Sequence, residues 1–188
     1  MTSEPGLWNV ANVLTAVRIA LVPVFVAFLL AGGTAGRLAA LAVFCIASLT
    51  DLLDGRVARR RGLVTDFGKI ADPVADKALT GAALICLSAL GELPWWVTGV
   101  IMFREIGVTA LRFWVIRRGV IAASRGGKLK TLLQIVAICL YVLPSALSPP
   151  GIVRGLVMAA AVVVTVVTGV DYVQQAMRLR RSEPAPGG

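Results

Sequence analysis

Half of the ten acidic residues in this chain, Asp51, Asp54, Asp66, Asp72 and Asp76, fall within 26 consecutive positions. Asp51 and Asp54 stand three residues apart, and Asp72 and Asp76 four apart. Those separations put two side chains on one face of an α-helix. Two antiparallel helices joined by the basic stretch between the pairs would bring the four carboxylates together. Carboxylates that converge repel one another unless cations neutralise them or protons bind. The chain has no histidine and the cluster contains no thiolate, so a bound ion would have oxygen ligands only. That donor set suits Mg²⁺ or Mn²⁺ better than Zn²⁺. Hard cations held by carboxylates also grip phosphate oxygens, and two of them would polarise a diphosphate and stabilise its leaving oxygen. Phosphoryl-type chemistry is therefore indicated. Between the pairs, Gly55 permits close backbone approach, Ala58 leaves space one turn on, Arg59 offers a planar donor fork suited to phosphate, and Gly68 allows the same closeness from the other side. A purely structural reading makes these aspartates helix caps. Asp72 ahead of Pro73 has the form of an N-cap with proline at the first helical position, but Asp51 and Asp54, near the end of a helix, would be badly placed for capping.

The elements that must position these groups are apolar. Of 188 residues, 57% are hydrophobic and only 15% charged, which departs far from a soluble domain and reads as an all-α integral membrane protein. A bilayer core needs about 20 apolar residues as helix. Six such transmembrane segments are predicted, near 12–31, 36–55, 72–91, 95–116, 129–147 and 151–174. The breaks Gly32-Gly33, Gly91 with Pro94, and Ser148-Pro149-Pro150-Gly151 are turn signals. The net charge is +9, and its placement sets the orientation. Arg56, Arg59, Arg60, Arg61 and Lys69 follow the second segment, Arg117, Arg118, Arg125, Lys128 and Lys130 surround the fourth connection, and Arg178, Arg180 and Arg181 follow the sixth segment. The remaining connections hold little beyond Arg37, Glu92 and Arg154. The positive-inside rule puts both termini and the second and fourth connections in the cytoplasm. Residues 1–11, with Trp8, are expected to form a short N-terminal interfacial segment, 12–176 the membrane domain, and 177–188 a disordered basic tail.

Other function classes fit poorly. Long apolar runs separate the basic clusters, so no continuous face exists for nucleic acid. The leader lacks the pattern of a cleavable signal peptide. Cys45, Cys86 and Cys139 lie singly in apolar stretches and read as packing residues. Gly32 with Gly36 and Gly151 with Gly155 match a small-residue helix-packing spacing, but at segment ends, where chance accounts for it.

The run Asp51-x₂-Asp54-Gly55-x₂-Ala58-Arg59-x₈-Gly68-x₃-Asp72-x₃-Asp76 resembles, position for position, the signature of the CDP-alcohol phosphotransferase family. The resemblance implies a homodimeric six-span enzyme of the cell membrane, bacterial and multi-pass, whose site faces the cytoplasm and displaces CMP from a CDP-alcohol. It further implies that Asp51, Asp54, Asp72 and Asp76 ligate two Mg²⁺ or Mn²⁺ ions, that Asp76 is the general base, and that Asp54, Gly55, Ala58, Arg59 and Gly68 hold the cytidine nucleotide. The start Trp8-Asn9-Val10-Ala11-Asn12 through Thr15 and Arg18, the run Asp72 to Lys77, Arg104-Glu105-Ile106 with Leu111-Arg112, and Gly127 to Thr131 look most like the members that take CDP-diacylglycerol and glycerol 3-phosphate and make phosphatidylglycerol phosphate. Asn9-Val10-Ala11-Asn12 and residues 113–126 depart from that branch, which keeps inositol phosphate and phosphatidylglycerol open as alternative acceptors.

Glycerol 3-phosphate is a dianion and requires a cationic pocket, for which Arg104, Arg112, Lys128 and Lys130 are the candidates. Arg104 and Glu105 fall deep in the fourth segment, where an unpaired charge is expensive, so both are expected to face the protein interior. For Arg104 the competing reading is a structural ion pair with Glu105 or with an aspartate. A cation transporter would also gather intramembrane aspartates, but near the midplane on interrupted helices rather than at segment ends beside an arginine-rich connection.

Overall fold

The computed structural model describes residues 10–61, 66–115 and 125–181, with side chains described over 15–50, 77–111 and 127–178. Six α-helices and no β-strand occur among the described residues: α1 (Val10–Ala31), α2 (Gly33–Arg61), α3 (Asp66–Ala89), α4 (Trp95–Val115), α5 (Arg125–Val142) and α6 (Gly151–Arg181). The interfacial segment expected at the N-terminus lies outside the described residues as far as residue 9.

Glycine and proline end the helices where the sequence marks them. Gly32 and Gly33 both take left-handed backbone, with φ of 68° and 63°, so α1 turns into α2 through a single residue between the two helices. Gly91 (φ 74°) closes α3. The Glu92 amide donates to the Leu87 carbonyl and the Gly91 amide to the Ser88 carbonyl, both at 3.0 Å, the paired bonds of a Schellman cap. Pro150 accepts the first amide of α6, from Val153 at 2.9 Å.

Several boundaries differ from the sequence expectation, α2 among them, which runs to Arg61 rather than ending near 55. α3 begins at Asp66 rather than near 72, so Asp72 lies inside the helix and is not its N-cap. An acid at the first helical position, as Asp66 is, complements the helix dipole. α5 starts at Arg125 and stops at Val142, ahead of Pro144, because proline disfavours helical backbone at the residue before it. α6 runs on to Arg181, which carries helix into the segment 177–188 expected to be unstructured.

The chain divides into two compact units, residues 1–93 with 138–149, and residues 94–137 with 150–188. In the first, α1 packs against both α2 and α3, which also meet each other. Phe25 and Phe44 are fully buried, their ring centroids 5.7 Å apart. A Cβ built on Gly36 would stand 2.8 Å from the Phe28 carbonyl oxygen. The spacing attributed to chance is therefore used at Gly36, where α1 and α2 approach too closely for a side chain, whereas a Cβ at Gly155 would meet nothing. Arg37 pairs with Glu92 and also donates to the carbonyls of Tyr141 (3.2 Å) and Leu143 (3.3 Å) at the end of α5. The thiols of Cys45 and Cys139 touch at 3.8 Å, unoxidised. In the second unit α4 packs against α6, burying Val97, Ile101, Met158, Ala161 and Thr165.

The exterior of the helices is apolar. Ile152, Leu156, Val163, Val167 and Val170 recur at helical spacing along α6 and are all at least half exposed. Phe103 on α4 is 82% exposed. A water-facing surface rarely carries such a stripe. Among the described residues, Gly33–Thr50 and Gly151–Arg178 are long and apolar enough to cross a membrane.

Candidate active site

Asp51 and Asp54 lie on α2, and Asp72 and Asp76 on α3. Their side chains, like those of Gly55, Ala58, Arg59, Gly68 and Arg112, lie outside the described residues, so helix and register place them. Positions 51, 54, 55, 58 and 59 follow the i, i+3, i+4, i+7, i+8 pattern of one face of α2, and 68, 72 and 76 that of one face of α3. From Arg61, the last residue of α2, to Asp66, the first of α3, the chain spans at most about 18 Å. A connection this short returns α3 alongside α2, which it meets. Asp51 stands ten residues before Arg61 and Asp76 ten after Asp66, while Asp54 stands seven before and Asp72 six after. At 1.5 Å per residue these are two matched levels, about 15 Å and about 10 Å from the connection.

α1 adds a buried polar face to the same unit. Arg18, the sole charge in α1, is 4% exposed, and Thr15 one turn earlier is 2% exposed. Arg18 is engaged by a partner within the protein. The sequence signal was available, since a lone arginine in an apolar helix must be held by something; the candidate site residues nevertheless omitted it.

The second unit holds a polar cluster built around Glu105. One carboxylate oxygen of Glu105, Oε1, accepts from Arg104 Nη1 at 3.2 Å and from Lys130 Nζ on α5. Arg104 Nη2 donates to Thr168 Oγ1 on α6 at 3.1 Å, and that hydroxyl in turn donates to the Val164 carbonyl at 2.7 Å. Gln134 donates to Thr165 at 3.1 Å one turn farther along both helices. Glu105 and Lys130 are buried, whereas Lys128 is exposed at the start of α5. Two of the four acceptor-site candidates, Arg104 and Lys130, thus meet at one carboxylate. Lys128 joins no described contact, and Arg112 lies outside the described side chains. Thr168, and Glu105 as the shared partner, are functional candidates that sequence spacing did not supply.

The donor set tests whether metal fits. Among the described residues no three Asp, Glu, His or Cys side chains gather as a metal site, and the four aspartates are not among those described. Paired on one face of each of two adjoining helices and matched in level, they present only carboxylate oxygens. That is the ligand chemistry of Mg²⁺ and Mn²⁺, so the residues present fit a divalent metal.

Comparison with known proteins gives concordant results. The CDP-alcohol phosphatidyltransferase family profile matches residues 8–167. A Mycobacterium tuberculosis (strain H37Rv) protein named probable phosphatidylglycerophosphate synthase is 56% identical over 90% of this chain and 82% of its own length. A Bacillus subtilis (strain 168) protein named CDP-diacylglycerol–glycerol-3-phosphate 3-phosphatidyltransferase is 42% identical over 88% of this chain and 94% of its own. The Escherichia coli (strain K12) protein of the same name is 39% identical over 70% of this chain and 75% of its own.

Proposed function

The chain belongs to the CDP-alcohol phosphatidyltransferase family, and on that premise we propose that it transfers the phosphatidyl group of CDP-diacylglycerol to sn-glycerol 3-phosphate. The products are CMP and phosphatidylglycerol phosphate. The activity is the one named for its relatives, and the observation that carries it to this chain is the matched level of two aspartates on α2 and two on α3.

In the proposed reaction the primary hydroxyl of glycerol 3-phosphate attacks the phosphorus that bears the diacylglycerol. A new P–O bond forms, the bond from that phosphorus to CMP breaks, and CMP leaves with the electron pair. The hydroxyl proton passes to the carboxylate of Asp76. Asp51, Asp54, Asp72 and Asp76 would hold two divalent ions, Mg²⁺ or Mn²⁺, which would supply positive charge to offset the diphosphate and the leaving oxygen. Asp54, Gly55, Ala58, Arg59 and Gly68 hold the cytidine nucleotide. Arg104, Arg112, Lys128 and Lys130 receive the phosphate of the acceptor. A carboxylate is a weak base, so much of the rate comes from alignment of hydroxyl and phosphorus.

The same reading makes the chain a six-span protein of the bacterial cell membrane, a homodimer with both termini and the site in the cytoplasm. The apolar exterior of α4 and α6 and the basic residues flanking α2, α4 and α6 support it. The lipid donor would enter laterally, its acyl chains remaining in the bilayer. The decisive assay supplies purified protein and Mg²⁺ with CDP-diacylglycerol and, in turn, glycerol 3-phosphate, inositol phosphate and phosphatidylglycerol, reading CMP. Release with glycerol 3-phosphate alone is expected; release only with another acceptor would reassign the substrate.

A further inference from the structure

We infer that Glu105 is a positioning residue of the acceptor site, holding Arg104 and Lys130 together so that both meet the phosphate of the incoming alcohol. The inference rests on the reading of those two cations as phosphate-binding. Its first support is stoichiometric. A structural ion pair needs one cation, yet a single oxygen of Glu105 accepts from two, on different helices. The shared carboxylate thus ties the cation of α4 to the cation of α5 at one point.

The second support is how firmly Arg104 is held. Thr168 anchors one terminal nitrogen at 3.1 Å while Glu105 takes the other at 3.2 Å, which fixes the plane of the guanidinium. Gly169 gives the side chain its path, since a Cβ there would lie 2.9 Å from Arg104 Cγ. The third is an unspent donor. Arg104 Nε is buried and meets no hydrogen-bond acceptor among the described residues, a state that native proteins seldom leave without a use. A planar donor group pinned at both ends, with a further N–H in reserve, is organised to take the oxygens of a phosphate.

Charge and placement make opposite forecasts for Glu105→Gln, which keeps the volume and removes the negative charge. If Arg104 and Lys130 served only as charge, neutralising Glu105 would tighten binding of a dianion. If they must be placed, binding weakens. The expected result is a rise of tenfold or more in KM for glycerol 3-phosphate, with KM for CDP-diacylglycerol within twofold and kcat little changed. Weaker binding of labelled glycerol 3-phosphate to the detergent-solubilised variant and partial rescue by Glu105→Asp are also expected. An unchanged or lowered acceptor KM, or a parallel loss in kcat and both KM values with a lowered melting temperature, would overturn the inference. Should Glu105→Gln fail to fold, Gly169→Ala displaces Arg104 without altering charge and is expected to show the same acceptor-selective rise; its absence overturns the inference equally. Arg104→Gln and Lys130→Gln separate the two levels of the argument. If neither moves the acceptor KM, the phosphate-site reading fails and this inference with it. If both do while Glu105→Gln does not, only the positioning role fails.

Discussion

Asp76 is asked to serve both as metal ligand and as base, and one substitution tests the two roles together. Asp76→Asn preserves size and polarity but can neither accept the hydroxyl proton nor contribute a charge to a cation. General-base catalysis contributes about 10²–10⁴-fold, so CMP release is expected to fall at least that far. The melting temperature in detergent should hold or rise, because one of four crowded like charges is gone. Turnover at the normal rate with Mg²⁺ present would remove Asp76 from the mechanism. At this scale the sequence was legible only where partners are close along the chain. Asp51 with Asp54 and Asp72 with Asp76 are one helical turn apart, and their spacing alone places each pair on one face. Glu105 and Lys130 are separated by 25 positions, and Arg104 and Thr168 by 64. No periodicity connects residues on different helices, so the sharing of Glu105 by two cations emerges only from tertiary packing.

At the scale of elements, glycine and proline carried most of the legible information. Gly32-Gly33 and Gly91 end helices by adopting left-handed backbone. The start of α3 was missed because Asp66 to Ala71 are too polar to extend an apolar segment, yet they continue the helix. Arg37 and Glu92 looked like stray charges in otherwise apolar connections, and they prove to be each other's partner. Arg37 also covers two carbonyls at the end of α5, groups that a helix terminus leaves without intrahelical donors. Arg37→Ala would strip all three acceptors of this donor at once. For a partly exposed site the expected cost is about 1–3 kcal/mol, read as a lower thermal midpoint in detergent. The residue lies outside the catalytic machinery, so kcat of the folded fraction should be unchanged. An unaltered midpoint would show that water satisfies those carbonyls equally well.

For the molecule as a whole, the distribution of charge along the chain makes the most exposed claim. Of the 19 basic residues, only Arg37 and Arg154 lie beside the connections assigned to the outer face, while the end of α2, the region around the start of α5 and the end of α6 hold most of the rest. A bias of that size orients a multi-span protein. It also bears on the proposed reaction, because the aspartates flank the connection between α2 and α3, and in that reaction the soluble acceptor, glycerol 3-phosphate, reaches them from the cytoplasm. Single cysteines introduced into a variant in which Cys45, Cys86 and Cys139 are replaced by alanine test the orientation directly. In intact spheroplasts a membrane-impermeant maleimide is expected to label Ser145→Cys, in the exposed connection after α5, and to label Ser182→Cys only after lysis. Labelling of Ser182→Cys without lysis would turn the aspartates to the outer face, away from both substrates. The proposed acceptor would then have to be abandoned even if the carboxylates do bind metal.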